Sequence, residues 1–93
     1  MVFIKKLVWD KWNEDHIARH HVTRKEVKQV FQSDHVVKDA KKGRLLIIGK
    51  TKSGKILAVV IDPEPDEGVY YPVTARPADK NERQRFIKEK GGR

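Results

Sequence analysis

The feature that most constrains the fold is a pair of apolar runs joined by a four-residue turn. Leu45-Leu46-Ile47-Ile48 and Ile56-Leu57-Ala58-Val59-Val60-Ile61 flank Thr51-Lys52-Ser53-Gly54. Short runs of branched residues on either side of a glycine-bearing turn read as a β-hairpin, with Gly54 available for a positive φ. A third run, Val69 to Ala75, follows the turn Pro63-Glu64-Pro65-Asp66-Glu67-Gly68, which predicts a three-strand antiparallel meander. Pro72 has no N–H to give to a ladder, so it marks an edge or a bulge.

Helical signals lie on both sides of the meander. Residues 2 to 9 read as a strand, and Asp10 is a suitable N-cap for a helix over about 11 to 20. Thr23 and Glu26 form a capping box, with Val22 and Val27 placed for a hydrophobic staple. The second helix then runs to about Gln32 and buries Val27, Val30 and Phe31 at helical spacing. Residues 33 to 43 form a polar connection in which Val36-Val37 suggests a short edge strand. Asp79 and Glu82 make another capping box, opening a last helix that carries Phe86 and Ile87. The expected order is strand, helix, helix, meander, helix: an α+β domain over residues 1–93, with residues 88–93 fraying.

The chain has 93 residues, sufficient for one modest core. Apolar residues make up 38% and charged residues 37%, but the apolar ones are clustered as in a folded domain. The net charge of +8 suits an anionic partner: nucleic acid, an acidic protein, or, less favoured, a membrane surface. There is no cysteine, which excludes disulfides, thiolate nucleophiles and cysteine-ligated zinc. No apolar run approaches the roughly 20 residues of a membrane span, and the first residues do not form a secretory leader, so a cytoplasmic location without membrane contact is expected.

Asn13, His16 and His20 recur at spacings of three and four, which lines them along one helical face. His16 and His20 are a possible metal pair, but further ligands at a known spacing are missing, and neither a metal nor a cofactor is expected. Imidazole titrates near neutral pH, so His20 is a candidate acid or base; the competing role is packing with a backbone hydrogen bond. Arg76 ends an apolar strand. Its guanidinium can hold a phosphate, or it can pair with a helix carboxylate such as Glu82 or Asp10. Trp9, Trp12, Tyr70 and Tyr71 can stack on bases, though core packing is the commoner fate for Trp9 and Trp12. Tyr70 and Tyr71 point to opposite faces of their strand, and the exposed hydroxyl can reach a phosphate. The many Lys and Arg residues read mostly as a solvated face.

Trp9-Asp10, Asn13, Arg19-His20, Val22 and Glu26, the Leu-Ile-Ile-Gly hairpin, Thr74-Ala75-Arg76 and Glu82-Arg83 together resemble the BrnT family of toxins, over about residues 7 to 87. The resemblance implies a RelE-like α+β fold. It also implies a metal-independent endoribonuclease of a type II toxin–antitoxin pair, inhibited by an antitoxin encoded nearby, as a homodimer or a toxin–antitoxin hetero-oligomer. In that reading Arg19, His20 and Arg76 are catalytic, and Asn13, Thr74, Tyr71, Arg83 and Arg44 contact the RNA. A base takes the ribose 2′-OH proton, the oxygen attacks the adjacent phosphate, Arg76 and Arg19 hold the developing charge, and His20 serves in one of the proton transfers. The chain departs from the family at His21, where Gly is common, and at Lys38 to Arg44, where a His-then-Glu-Glu-Arg stretch keeps only the Arg. A non-catalytic module that binds RNA or a protein is therefore the alternative. A DNA-binding module has only the charge behind it, because the second helix must bury Val27, Val30 and Phe31.

Overall fold

A computed structural model describes residues 3–90. Its elements are β1 (Lys6–Leu7), α1 (Lys11–Ala18), α2 (Arg24–Gln32), β2 (His35–Asp39), a 3₁₀ turn (Lys41–Gly43), β3 (Leu45–Lys50), β4 (Ile56–Pro63), β5 (Val69–Pro77) and α3 (Lys80–Lys90). The five strands form one sheet in the order β1-β5-β4-β3-β2. Strands β2 to β5 are an antiparallel meander, and β1 joins β5 in parallel. The fold is α+β, as expected, with a mixed sheet.

The differences from the expected elements have local causes. The first strand is two residues long because Lys5 and Lys6 both donate to the Gly68 carbonyl, at 2.8 and 3.1 Å, and the chain bends there. Val2, its expected start, lies outside the described residues. Gly68 has φ +81°, and a Cβ on it would lie 2.9 Å from Lys5 Cβ and from the Phe3 ring, so the β1–β5 contact depends on glycine. The Val36-Val37 segment is a full edge strand, its five residues paired with β3. Alternation was masked there because only Val36 and His35 are buried. Helix α3 continues to Lys90, so residues 88–90 are helical, and 91–93 lie outside the described residues. Pro72 does sit at an irregularity: Ile61 pairs with Pro72 and Val60 with Thr74, which leaves Val73 as the extra residue.

The sheet buries both faces unequally. Ile47, Leu57, Val59, Ile61 and Ala75 pack with Ile17 of α1, Val22, and Val27 and Val30 of α2. On the other face Val36 and Ile48 meet Ala78 and Phe86 of α3. Helix α1 ends in a Schellman closure: Val22 N–H reaches the Ile17 carbonyl (3.1 Å) and His21 N–H the Ala18 carbonyl (3.0 Å). His21 holds the left-handed position at φ +60°, which explains structurally why glycine suits it. Thr23 and Glu26 cap α2 reciprocally, and Lys55 Nζ lies 2.9 Å from Glu26, tying the β3–β4 hairpin to the helix.

Candidate functional site

Asn13 is fully buried and acts as a scaffold residue. Its Oδ1 accepts from Asp10 N–H (2.9 Å), and its amide donates to the carbonyls of Val8 (3.0 Å) and Pro72 (3.1 Å). Asp10 returns the bond to Asn13 N–H, so the pair is a capping box with Asn in place of the usual Glu or Gln. Both amide protons are used within the fold, so Asn13, expected to contact RNA, forms a joint between the chain after β1, α1 and β5. Tyr71 is committed too. Its hydroxyl lies 3.0 Å from both oxygens of the Asp10 carboxylate, and burial together with that bond raises its pKa above the usual phenol value.

Trp12 and His16 of α1 and His20 just past its end form an aromatic ladder. Trp12 stacks on His16 with ring centroids 5.0 Å apart and planes at 11°, and His16 meets His20 edge-on at 5.8 Å. The residues are four apart, so consecutive turns place the rings one above the next. Trp12 is 58% exposed, against the expectation that it packs in the core. Arg19 follows Ala18 with its guanidinium in solvent, and among the described residues it has no ion-pair partner. The spacing of 12, 16 and 20 is readable in the sequence, but the sequence reading groups Trp12 with Trp9, Tyr70 and Tyr71 and not with the two histidines. Among the described residues no group of three or more His, Asp or Glu side chains could hold a metal ion.

Arg76 lies elsewhere. Ala75 faces the α1–α2 core, so Arg76 emerges on the α3 side of β5. There its Nη1 and Nη2 sit 2.6 and 2.9 Å from the two oxygens of Glu82, a bidentate pair. The hydrogen bond from Arg76 pulls the Glu82 carboxyl below the usual carboxylate range, and Glu82 in turn raises the guanidinium pKa. Glu82 also accepts from Asp79 N–H at 2.9 Å, completing the expected capping box of α3. Of the two sequence readings of Arg76, the helix carboxylate pair is the one observed.

Thr74 shares this face and stands in register with Val60, Leu46 and Lys38 across four strands. Helix α3 packs over β2 and β3, so Val60 of β4 and Thr74 of β5 on the same face are only half-buried. Arg44 Nε lies 3.6 Å from Asp62, an ion pair beyond hydrogen-bond length. Arg83 donates to the Ala78 carbonyl at 2.8 Å and fixes the start of α3. The structure therefore gathers Arg19 with His20 just past the C-terminal end of α1, and Arg76 with Thr74 on the α3 side of β5. Among the described residues no hydrogen bond, ion pair or ring contact joins the two groups. Helix α1 packs on β5, so one strand supports both. Compared with protein-family models and with curated proteins, the chain matches none.

Proposed function

We propose that this protein acts on RNA as the metal-independent endoribonuclease of a toxin–antitoxin pair, in keeping with its resemblance to the BrnT toxins. The observation that carries the reading is the Trp12–His16–His20 ladder, exposed at Trp12 and half-buried at the two histidines, with the exposed cation Arg19 next to His20 in the chain and without an ion-pair partner among the described residues. The exposed Trp12 ring offers a stacking surface to an unpaired base, worth roughly 1–3 kcal/mol, and a net charge of +8 favours the phosphate backbone. Single-stranded RNA laid on Trp12 brings its backbone toward the C-terminal end of α1. His20 then accepts the 2′-OH proton as the 2′ oxygen forms its bond to phosphorus. The bond from phosphorus to the 5′ oxygen breaks, and that oxygen takes a proton from His16, leaving a 2′,3′-cyclic phosphate. Arg19 neutralises the charge that builds on the phosphoryl oxygens. Arg76 is the second cation the resemblance implies. With Nη1 and Nη2 held by Glu82, it offers Nε–H to an anion on the rim of β5.

The second reading is a non-catalytic binder that keeps the fold. The closed Arg76–Glu82 pair favours it, since a phosphate must compete with a carboxylate already in place. RNA cleavage in EDTA by the wild type, His20→Ala and Trp12→Ala proteins separates the two. Loss of cleavage in His20→Ala, with weakened RNA binding in Trp12→Ala, supports the nuclease. RNA binding without cleavage by folded wild type supports the binder.

A further inference from the structure

A second surface carries cations of its own. Between β1 and α2 lies an open groove of about 680 Å³. Lys5, Lys6, Lys25 and Lys28 line it, with Arg24 beside them, and no acidic side chain does. Among the described residues none of the four lysines is in an ion pair, whereas Arg24 pairs with Glu14 at 3.3 Å and lies 5.3 Å over the Trp9 ring. The remaining wall is mostly apolar, Ile4, Leu7, Trp9 and Phe31, with Gln32 as its one uncharged polar side chain.

One wall of this groove is also a sheet edge. Strand β1 ends the sheet, with β5 as its neighbour on the inner side. The N–H groups of Lys6 and Val8 point inward to the carbonyls of Gly68 (3.1 Å) and Tyr70 (2.9 Å). Backbone groups alternate along a strand, so Leu7 N–H points outward. An outward N–H beside an apolar floor with a lysine rim is the arrangement that an added strand completes, its backbone pairing with the edge and its alternate side chains entering the groove.

We propose that this groove docks an extended, acidic segment of a partner protein in which apolar residues alternate with Asp or Glu. Its apolar side chains fill the space over Leu7 and Phe31. Its carboxylates meet the lysine rim, and its backbone pairs with Leu7. A polypeptide fits better than a nucleic acid: half of the apolar wall is aliphatic, the Trp9 face is already covered by Arg24, and phosphates have no use for a strand edge.

The test uses a short synthetic peptide alternating Glu and Val, its counterpart alternating Lys and Val, and an oligouridylate. Calorimetry supplies affinities, and amide hydrogen exchange reports on Leu7. The Glu-Val peptide is expected to bind and to slow exchange at Leu7, while the Lys-Val peptide does not bind. Lys25 and Lys28 are exposed on α2, so Lys25→Glu with Lys28→Glu leaves the core intact and weakens peptide binding by on the order of tenfold or more. Absence of Glu-Val binding, binding that survives the double reversal unchanged, or protection of Leu7 by the oligouridylate in place of the peptide overturns the proposal.

Discussion

Arg76 and Glu82 hold each other by two parallel hydrogen bonds, 2.6 and 2.9 Å long, and so fasten the end of β5 to the first turn of α3. The Glu82 side chain is 13% exposed and that of Arg76 36%, so water screens the carboxylate side poorly. The pair joins a strand that supports α1 to a helix on the opposite face of the sheet.

This pair gives stability a sign with pH. Glu82 has a lowered pKa when folded, so it contributes stability above its unfolded value and loses it as pH falls through the lower folded value. Glu82→Gln is expected to lose about 1–2 kcal/mol near neutral pH and to flatten the decline that the wild type shows below about pH 4. Urea unfolding across a pH series measures both. Identical acid limbs in the two proteins contradict the assignment.

Asn13→Ala removes one acceptor and two donors from a buried joint, leaving the Val8 and Pro72 carbonyls without them. The expected loss is about 2 kcal/mol or more, seen as a lower urea midpoint. An unchanged midpoint would return Asn13 to the role of a ligand contact.

Gly49 of β3 lies directly against Val30 of α2. A Cβ there would lie 2.8 Å from Val30 Cγ1 and 3.3 Å from the Val30 carbonyl, so Gly49→Ala must push α2 outward. The expected cost is about 1–3 kcal/mol, read as a drop in melting temperature. A neutral result would mean that α2 sits more loosely on β3 than the geometry indicates.

His21→Gly acts in the opposite direction. The left-handed φ of His21 costs a side-chain-bearing residue about 1 kcal/mol, and its ring is exposed. The substitution is expected to raise the unfolding free energy by roughly that amount, with the Schellman bonds to Ile17 and Ala18 retained. A destabilised variant would show that the exposed ring makes a contact worth more than the strain.

Much of the fold was legible because its signals are local. The Thr23–Glu26 and Asp79–Glu82 boxes, the Thr51–Gly54 turn and the bulge at Pro72 each depend on residues a few positions apart. The parallel pairing of β1 with β5 was not legible, since it joins Lys6 to Val69 across nearly the whole chain. The same holds for the site. His20 and Arg19 share a helix end as their neighbourhood in sequence requires. Whether Arg76 faces them or Glu82 is decided by which side of β5 it leaves. The polar group of Asn13 suggests a ligand contact in the sequence, whereas in the fold its amide donates to backbone carbonyls that only folding brings near. The lysines of the β1–α2 groove come from two separate segments, and no local pattern gathers them.

The most direct test is cleavage of single-stranded RNA by the purified protein in EDTA, with His20→Ala and Arg76→Ala beside it. The account predicts cleavage by the wild type that persists in EDTA, is abolished in His20→Ala and is reduced in Arg76→Ala. Cleavage unchanged in His20→Ala, or none by a folded wild type, would contradict it.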